Sequence, residues 1–306
     1  IPLTQESGDV CMTYEAGMKY MNSKYVKFQD EKEMKVVEFY FSNKDGHAYS
    51  VYSKNSAAEG LHNFYVISRN SKNEFIRHKL FYLWFYSNYA KIIKGFYFQP
   101  NQPPIIHDEK NSHSYFNKFR GWAVDSKESH IVETWLNYVK EVICSNDQED
   151  FDYFINYFAH LFQKPHNLPG VALVLKSDKG IGKNLILEPI QGILGKNLYF
   201  TSTKTVDLAG DFNKNVGGKL LIIANEALFA GDHAAQDNMK GLIADKEISI
   251  TAKHVDSKMD QNYARIIILT NRSTAINFDP SERRYRFFNC NDDFASVRIK
   301  PENDSK

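Results

Sequence analysis

The stretch SDKGIGKN, residues 177–184, has two glycines and a lysine at a spacing that is typical of a loop that binds phosphate groups. It lies between the apolar run VALVLK and a helix-forming stretch, which is the setting of a phosphate-binding loop. Glycines allow backbone N–H groups to converge on phosphates, and a lysine reaches the terminal ones. The loop predicts a nucleotide site for ATP and Mg²⁺. Its candidate residues are Ser177, Asp178, Lys179, Gly180, Ile181, Gly182, Lys183 and Asn184.

Two positions depart from the usual pattern of such a loop, and the alternative is a surface turn in which Lys183 is merely solvated. Ser177 replaces the first glycine, at the loop entrance, where we expect it to be tolerated. Asn184 replaces the Ser or Thr whose hydroxyl binds Mg²⁺, and its amide oxygen reaches a metal only if the longer side chain has room. Pro189 should kink or shorten the following helix.

The apolar run KLLIIANEA ends in a second set of polar candidates, Asn225 and Glu226. Strands of this kind place a carboxylate beside the metal and the attacking water. We expect Glu226 to act as a general base and Asn225 to hold a metal-bound water weakly, because an amide carries no charge. In isolation, a buried strand that happens to end in Asn-Glu explains the pattern about as well.

Two further candidates lie towards the end of the chain. Asn271 follows the apolar run RIIIL and is predicted to contact the terminal phosphate and the water. Arg283 and Arg284 in DPSERRYRFFN are predicted to stabilise charge in the transition state. Ion pairs with Asp279 and Glu282 on a solvated turn are the competing interpretation for at least one arginine.

The pattern of apolar and polar residues along the chain predicts an α/β protein with three segments. Residues 1–111 read as a small α+β domain with a helix-like aromatic stretch from Phe75 to Ile93, followed by a polar linker at 99–113. Residues 112–168 form a helical lead-in with two amphipathic helices between Ser129 and Leu161. Residues 169–306 form a P-loop core, in which VALVLK, KLLIIANEA and ARIIILTN build a parallel sheet flanked by helices.

Composition limits the class of protein. The 38 Lys and Arg nearly balance 37 Asp and Glu, and this formal charge of +1 argues against coating nucleic acid with the whole surface. Cys11, Cys144 and Cys290 lie too far apart for a zinc motif and are interpreted as reduced thiols. Neither a signal peptide nor an apolar stretch of membrane-spanning length is present, so we expect a cytoplasmic protein without a membrane partner.

Taken in order, the four motifs resemble a superfamily 3 helicase, the compact viral branch of the AAA+ ATPases. Lys183 and Asn271 are 88 residues apart, which is similar to the tight motif spacing of that family. The stretches HSYFNKFRGWAVD, FNKNVGGKLLIIANEALFAGD and SERRYRFF look like the helicase module attached to phage primases and primase-polymerases.

This resemblance implies a homo-hexameric ring that uses ATP to move along single-stranded DNA. Lys183 would bind the terminal phosphates, Glu226 would activate water, Asn271 would be the sensor, and Arg283 or Arg284 would reach the adjacent subunit's nucleotide. It also implies a DNA-gripping hairpin between Glu226 and Asn271. Alternating residues there match a hairpin, with candidate phosphate contacts at Lys253, His254 and Lys258. The competing interpretation is an exposed edge hairpin protected by lysines.

Two functions from different classes follow. The first is an ATP-dependent helicase or translocase module of phage or viral replication, acting in the host cytoplasm beside an upstream primase or polymerase domain of the same polypeptide. The second is a degenerate P-loop ring that binds nucleotide and clamps DNA without productive hydrolysis, motivated by Asn184 and Asn225. A small-molecule kinase explains neither the short motif spacing nor the arginines.

Overall fold

A computed structural model of the chain describes residues 3–4, 8–42, 45–178, 180–204, 206–209, 213–225, 233–251, 258–271 and 282–296. It divides into two compact units. Unit 1 comprises Ile1–Asn43 and His47–Gly121, and unit 2 comprises Lys44–Gly46 and Trp122–Lys306. Among the described residues, no helix is both long enough and apolar enough to cross a membrane.

The described residues of unit 1 form small sheets and three helices. Its helices are α1 (Tyr14–Lys24), α2 (Lys54–Gly60) and α3 (Leu80–Phe85). Its strands are β1 (Leu3–Thr4), β2 (Val10–Met12), β3 (Tyr25–Gln29), β4 (Met34–Ser42), β5 (Gly46–Tyr52), β6 (Phe64–Arg69), β7 (Phe75–Lys79), β8 (Ile92–Ile93), β9 (Phe96–Tyr97), β10 (Ile105–Asp108) and β11 (His113–Asn117). The sheet orders are β1-β2-β6-β7, β5-β4-β3-β8 and β10-β11-β9.

The aromatic stretch from Phe75 to Ile93 is only partly helical, which corrects the predicted helix. Its first five residues form β7, because they pair antiparallel with β6 across a turn closed by Asn73 at a φ of +64°. Only α3 is helical, and it buries Trp84, whose indole N–H donates to Asn22 Oδ1 at 2.8 Å. The aromatic composition was a poor guide here, since aromatic residues suit strands as well as helices.

The predicted linker at 99–113 is also revised. It contains β10, which pairs antiparallel with β11 from Ile105↔Phe116 to Asp108↔His113. Because β11 also pairs with β9, this hairpin belongs to unit 1, and the division between the units falls after Gly121. Proline and polar residues marked a hairpin whose strands are only half-buried.

Unit 2 contains helices around a parallel sheet. Its helices are α4 (Ile131–Tyr138), which continues as a π-helical turn (Val139–Ile143), α5 (Gln148–Gln163), α6 (Glu188–Leu194), α7 (Val206–Ala209) and α8 (His233–Ala244). Its strands are β12 (Ala172–Ser177), β13 (Tyr199–Ser202), β14 (Leu221–Asn225), β15 (Glu247–Ile250), β16 (Lys258–Gln261), β17 (Arg265–Asn271) and β18 (Tyr285–Asn289). Short 3₁₀ turns occur at Leu185–Leu187 and Asp292–Ser296.

The main sheet has the order β13-β14-β17-β12-β18, and every neighbouring pair is parallel. The three predicted buried strands are confirmed as β12, β14 and β17. Their central residues are buried on both faces, as apolar β-branched runs require. β13 and β18 were not predicted; Arg283 and Arg284 lie in a turn directly before β18, and Arg286 lies within this strand.

The two predicted amphipathic helices are present as α4 and α5, but they bury different amounts of apolar surface. α5 begins at the N-cap Asp147, whose side chain accepts from Asp150 N at 2.9 Å, and buries Phe154, Phe158 and Leu161. In α4 no residue is buried, and Ile131 exposes 78% of its surface. The apolar beginning of α4 therefore lies outside the core of its own unit.

Candidate functional site

The topology of the main sheet places a crevice between β12 and β17. Both strands run in the same direction and are neighbours, so their carboxyl ends lie side by side. From β12 the chain proceeds to β13 at one edge of the sheet, whereas from β17 it proceeds to β18, on the opposite side of β12. Ligands of open α/β sheets bind outside the carboxyl ends of strands at such a switch in direction.

The loop at residues 177–184, here called the glycine loop, leaves β12 at this crevice. Gly180 and Gly182 have φ values of +96° and +83°, which residues with a side chain rarely adopt. A Cβ atom on Gly182 would lie 2.5 Å from the Tyr138 hydroxyl oxygen. That hydroxyl donates a hydrogen bond to the carbonyl oxygen of Ile181. Glycine is therefore required at 182 for both its conformation and its space.

Ser177 is the last residue of β12, where the backbone is extended and glycine is unnecessary. Its side chain is fully buried, and its hydroxyl donates to the carbonyl oxygen of Asp178 at 2.7 Å. The ammonium group of Lys183 donates to Ser177 Oγ and to the carbonyl oxygen of Asp178, the latter at 3.1 Å. The hydroxyl at 177 thus holds the lysine against the entrance of the loop.

Two side chains that sequence reasoning missed also contact the glycine loop. Asp292, in the turn that follows β18, accepts from the backbone N–H of Asp178 at 2.7 Å. Tyr138 comes from the end of α4, and burial raises the pKa of its phenol, with a smaller contribution from Cys290, so it stays a hydrogen-bond donor. For Asp292 the sequence contains no signal, because 114 residues separate it from Asp178.

The helix predicted directly after Lys183 starts later than expected. Asn184 is exposed with helical dihedrals, and a 3₁₀ turn at Leu185–Leu187 precedes α6, which has Pro189 in its first turn. Trp135 supports this turn, because its indole N–H donates to the carbonyl oxygen of Ile186 at 2.9 Å. Pro189 lacks an N–H and so separates the turn from the helix, as its position predicted.

Asn225 and Asn271 are the last residues of β14 and β17, the two strands that follow β12 on one side of the sheet. Ser177 pairs with Asn271 in the ladder, so the two Cα atoms are about 5 Å apart, whereas Asn225 lies one strand further along, beside Leu269. Asn225 Oδ1 is buried and has no hydrogen-bond partner among the described residues. Such an acceptor is costly unless something else donates to it or binds it. Glu226 lies outside the described residues, as does Lys179.

The candidate arginines lie at the amino end of the strands, opposite the glycine loop. The backbone carbonyl of Arg284 accepts from the N–H of Ala172, at the amino end of β12, so about 17 Å of strand separate it from the glycine loop. The Arg284 guanidinium donates to both carboxylate oxygens of Glu282, at 2.9 and 3.1 Å. Arg283 is exposed. Neither side chain is placed near the glycine loop of its own chain.

The predicted hairpin is present as the antiparallel pair β15 and β16, in register from Glu247↔Gln261 to Ile250↔Lys258. Ile248 and Ile250 pack against the core of unit 2. Asn213 holds the end of β15, since its amide donates to the carbonyl oxygen of Ser249 and accepts from the N–H of Thr251, both at 2.9 Å. Lys253 and His254 lie outside the described residues, as does the side chain of Lys258.

The described residues contain no group of three or more His, Cys, Asp or Glu side chains that could hold a metal ion. A metal at this crevice would depend on amide oxygens, Glu226 and ligand phosphates. Mg²⁺ suits such a set, because it keeps several waters and is bound through few protein ligands together with substrate phosphates.

Comparison with known proteins gives three similarities. Residues 175–284 match a family of unknown function, DUF5906. The chain is 24% identical over 148 residues to a DNA primase-polymerase of Nitratiruptor phage NrS-1, covering 47% of this chain and 20% of that protein. Two apo structures of the NrS-1 C-terminal region align with TM-scores of 0.64 and 0.63 at 18% identity, covering 91% of this chain and 61% of the other.

The chain therefore spans a fifth of the curated relative and 61% of the solved region. The match to the family of unknown function begins at Leu175 in β12. It includes the whole glycine loop, β14, β17 and both candidate arginines. The chain shares the fold of the NrS-1 C-terminal region, and in sequence it is similar to a phage DNA primase-polymerase.

Proposed function

We propose that this chain is a nucleotide-dependent helicase or translocase module that acts on single-stranded DNA in phage replication. The observation that carries the proposal is the glycine loop at the β12–β17 crevice, with a lysine and two glycines at positive φ, on the side of the sheet where β14 and β17 end. Similarity to a phage DNA primase-polymerase supports the replication context and a primase or polymerase domain upstream in the same polypeptide.

In this proposal Lys183 changes partners when ATP binds. Its ammonium group leaves Ser177 Oγ and the Asp178 carbonyl and turns to the terminal phosphates. The Ser177 hydroxyl and the Asp178 carbonyl are uncharged acceptors, and a hydrogen bond from the ammonium group to a phosphate anion is stronger than a bond to either of them. The backbone N–H groups around Gly180 and Gly182 line the cradle, because their positive φ values turn successive amides towards one side.

The ends of β14 and β17 supply the remaining groups. Mg²⁺ would neutralise phosphate charge during transfer, with Asn184, Asn225 and Glu226 as its candidate ligands. Asn225 Oδ1 suits a water or metal contact because the acceptor is buried and otherwise unpaired within the described structure. Glu226 takes a proton from the attacking water, and Asn271 orients that water from the strand next to the loop.

The proposal includes a homo-hexameric ring, which the positions of the remaining candidates support. Arg283 and Arg284 lie across the sheet from their own glycine loop, so an arginine that stabilises phosphate charge must act on a neighbouring subunit. Arg283 is the stronger candidate because Glu282 holds Arg284 in a bidentate pair. Exposed apolar side chains at the start of α4 and directly after the loop, Ile131, Val132 and Leu185 at 78, 50 and 59%, provide surface for such a neighbour.

The β15–β16 hairpin is the proposed DNA contact, with Lys253, His254 and Lys258 on phosphates. Asn213 holds the end of β15 that leads into the connecting loop, and Ile248 and Ile250 pack against the core, so the hairpin is anchored to unit 2. Contacts to phosphates alone are independent of sequence and weaken with salt. The module would operate in the cytoplasm of the phage host.

A second candidate function is a ring that binds nucleotide and clamps DNA without productive hydrolysis. The uncharged amides at Asn184 and Asn225 favour it, since they bind Mg²⁺ more weakly than a hydroxyl and carboxylate set. In that case catalysis would be carried out by the upstream primase or polymerase domain of the same polypeptide.

Steady-state ATP hydrolysis with and without single-stranded DNA tests the proposal, at protein concentrations that allow assembly. We expect DNA-stimulated turnover that Lys183→Ala abolishes. Nucleotide binding without turnover would favour the clamp, and absence of binding would refute both functions.

The double variant Asn184→Thr with Asn225→Asp separates a working motor from a degenerate one. A working motor has amides adapted to its own geometry, so its turnover stays equal or falls. A large gain in turnover would identify the natural chain as degenerate.

A further inference from the structure

The surface around β7 and α3 in unit 1 differs from the rest of that unit. β7 is the edge strand of its sheet, and all five of its residues are exposed. Together with α1 and α3 it forms a groove of about 680 Å³. We call its polar and aromatic lining the tyrosine face, which consists of Tyr14, Arg77, His78, Lys79, Tyr82 and Tyr86.

Three rings of the tyrosine face are open to solvent. Tyr14, Tyr82 and Tyr86 expose 43, 42 and 69% of their surface. Each is nevertheless held by a neighbouring ring at 5.3 to 6.0 Å between centroids, Tyr14 by Tyr89, Tyr82 by Phe81 and Tyr86 by Phe85. Rings held in this way lose little conformational freedom when a ligand stacks on them, which favours binding.

Cations lie beside these rings. Arg77, His78 and Lys79 are consecutive on the exposed strand, and the Lys54 ammonium lies 4.9 Å from the centroid of Tyr86. Arg77 is partly compensated by Asp9 at 3.1 Å, while Lys79 has no carboxylate within salt-bridge distance among the described residues. Residues 1–121 carry 16 Lys and Arg against 12 Asp and Glu, so the basic excess of the chain resides in this half.

Protection of an edge strand explains only part of this arrangement. Charged side chains on an edge discourage pairing with another strand, which accounts for Arg77 and Lys79. It does not account for three exposed tyrosines, which add apolar surface to the same edge. Aromatic rings beside cations are instead the combination that binds single-stranded nucleic acid, because bases stack on rings while phosphates contact Lys and Arg.

We propose that the tyrosine face binds single-stranded nucleic acid, with bases stacked on Tyr82 and Tyr86 and phosphates on Lys79 and Arg77. This site is separate from the glycine loop and from the β15–β16 hairpin, and binding there requires neither nucleotide nor a ring. It gives unit 1 a role of its own, which is to hold the strand independently of ATP hydrolysis.

The test is fluorescence anisotropy of the full chain with labelled oligothymidylate of about 15 nucleotides, within the range of known single-strand sites. Measurements without nucleotide in a Lys183→Ala background make the result independent of the proposed ATPase. We expect Tyr82→Ala with Tyr86→Ala to weaken binding by roughly tenfold or more, since each stacked base contributes about five- to hundredfold.

Matched controls use exposed residues elsewhere in unit 1. Tyr40→Ala removes a tyrosine of similar exposure, 44%, from β4, and Lys110→Glu reverses an exposed charge between β10 and β11. Lys79→Glu should weaken binding and reduce its salt dependence, while Lys110→Glu should leave both close to the parent values.

Three outcomes would overturn the proposal. They are absence of oligonucleotide binding by the parent chain, unchanged binding by the tyrosine double variant, and equal losses in the Tyr40 or Lys110 controls. A parallel titration with oligouridylate shows whether the bound strand is DNA or RNA, because bases and phosphates are common to both and the tighter-binding polymer identifies the ligand.

Discussion

At the scale of single residues, the departures from a phosphate-binding pattern differ in physical weight. Ser177 occupies an extended strand position, so the missing glycine costs no backbone strain, and its hydroxyl gains a partner in Lys183. Gly182 permits no such change, because its φ is +83° and Tyr138 occupies the space of a side chain. The essential glycines are thus the later ones.

Gly182→Ala should weaken nucleotide binding at least tenfold, because a strained left-handed residue costs on the order of 1–3 kcal/mol before the clash with Tyr138 is counted. Titration with a fluorescent nucleotide measures the effect. Gly192→Ala is the matched control, since a Cβ on Gly192 would meet no atom within 4 Å and it lies in α6. Equal affinity in both variants would contradict a nucleotide site at this loop.

At the scale of elements, α5 is attached to the sheet by one arginine at each end. The buried Arg265 at the start of β17 donates to His160 Nδ1 at 2.9 Å and to the carbonyl oxygens of His160, Lys164 and Asn167, at 3.3, 3.0 and 2.9 Å. It thereby ties the last turn of α5 and the residues that follow this helix to the start of β17. Arg286 on β18 instead pairs with Glu149 and Asp150 in the first turn of α5.

Arg265→Met should lower the free energy of unfolding by about 1.5–3 kcal/mol, because it removes the hydrogen bonds of a buried charged group to His160, Lys164 and Asn167. Arg286→Met should cost less than about 1 kcal/mol, since its side chain is one-third exposed and its ion pair is screened by solvent. Urea unfolding followed by circular dichroism measures both. A larger loss in Arg286→Met would show that the ion pair, rather than the buried guanidinium, secures α5.

The contact between Arg265 and His160 also predicts a pH dependence. An arginine only donates, so His160 Nδ1 must be unprotonated to accept. Burial, followed by the charges of Arg265, Lys164 and His166, lowers the pKa of His160 below its ordinary value. Below about pH 6.5 the unfolded chain therefore binds more protons than the folded chain, and stability falls as the pH decreases.

His160→Gln should reduce this loss of stability between about pH 6.5 and pH 5, because a glutamine oxygen still accepts from Arg265 and does not titrate in that window. Melting temperatures across the range provide the measurement. His113→Gln, a change at an exposed histidine of β11, serves as the reference. If both variants keep the parent's pH dependence, His160 is not the responsible group.

At the scale of the whole molecule, the candidate groups lie at opposite ends of the parallel strands. The glycine loop, Asn225 and Asn271 lie where the strands end, while Arg283 and Arg284 lie before β18, where the strands begin. Within one chain, neither arginine of this pair therefore lies near the glycine loop. Proposed turnover depends on assembly, and the exposed apolar end of α4 is the proposed contact.

Arg283→Ala and Lys183→Ala should each abolish DNA-stimulated ATP hydrolysis, and mixing them should restore part of it. In mixed rings some interfaces combine an intact Lys183 with a neighbour's intact Arg283. Hydrolysis measured at constant total protein and varying ratio gives the result. A mixture as inactive as either variant would contradict an arginine that acts between subunits.

Ile131→Arg should shift the protein towards monomers and lower turnover per chain, because a charge replaces an apolar side chain at the proposed contact. Sedimentation velocity measures the assembly state. Asn137→Arg, at another exposed position of α4, is the matched control and should assemble like the parent. Identical sedimentation of both variants would remove α4 from the interface.

How far the sequence predicted the structure depends on the range of the interactions involved. The buried runs of β12, β14 and β17, the β15–β16 hairpin and the amphipathic α5 were predicted, because apolar periodicity is a local signal. The predictions of a helix at 75–93 and of a linker at 99–113 were wrong. Both segments contain strands, and these strands form through pairing with β6 and β11, which a local pattern does not reveal. β13 and β18 were missed because they are short and flanked by polar residues.

The sequence by itself determined the glycine loop, the polar residues that follow the buried strands and the near-neutral charge, because each is a property of a few consecutive residues or of composition. Only the tertiary structure decided that Asn271 lies beside Ser177, that Tyr138 and Asp292 contact the loop, and that Arg284 lies at the opposite end of the strands. These relations depend on strand order and on contacts between residues from 43 to 114 positions apart. Local patterns in a sequence contain no record of such pairing.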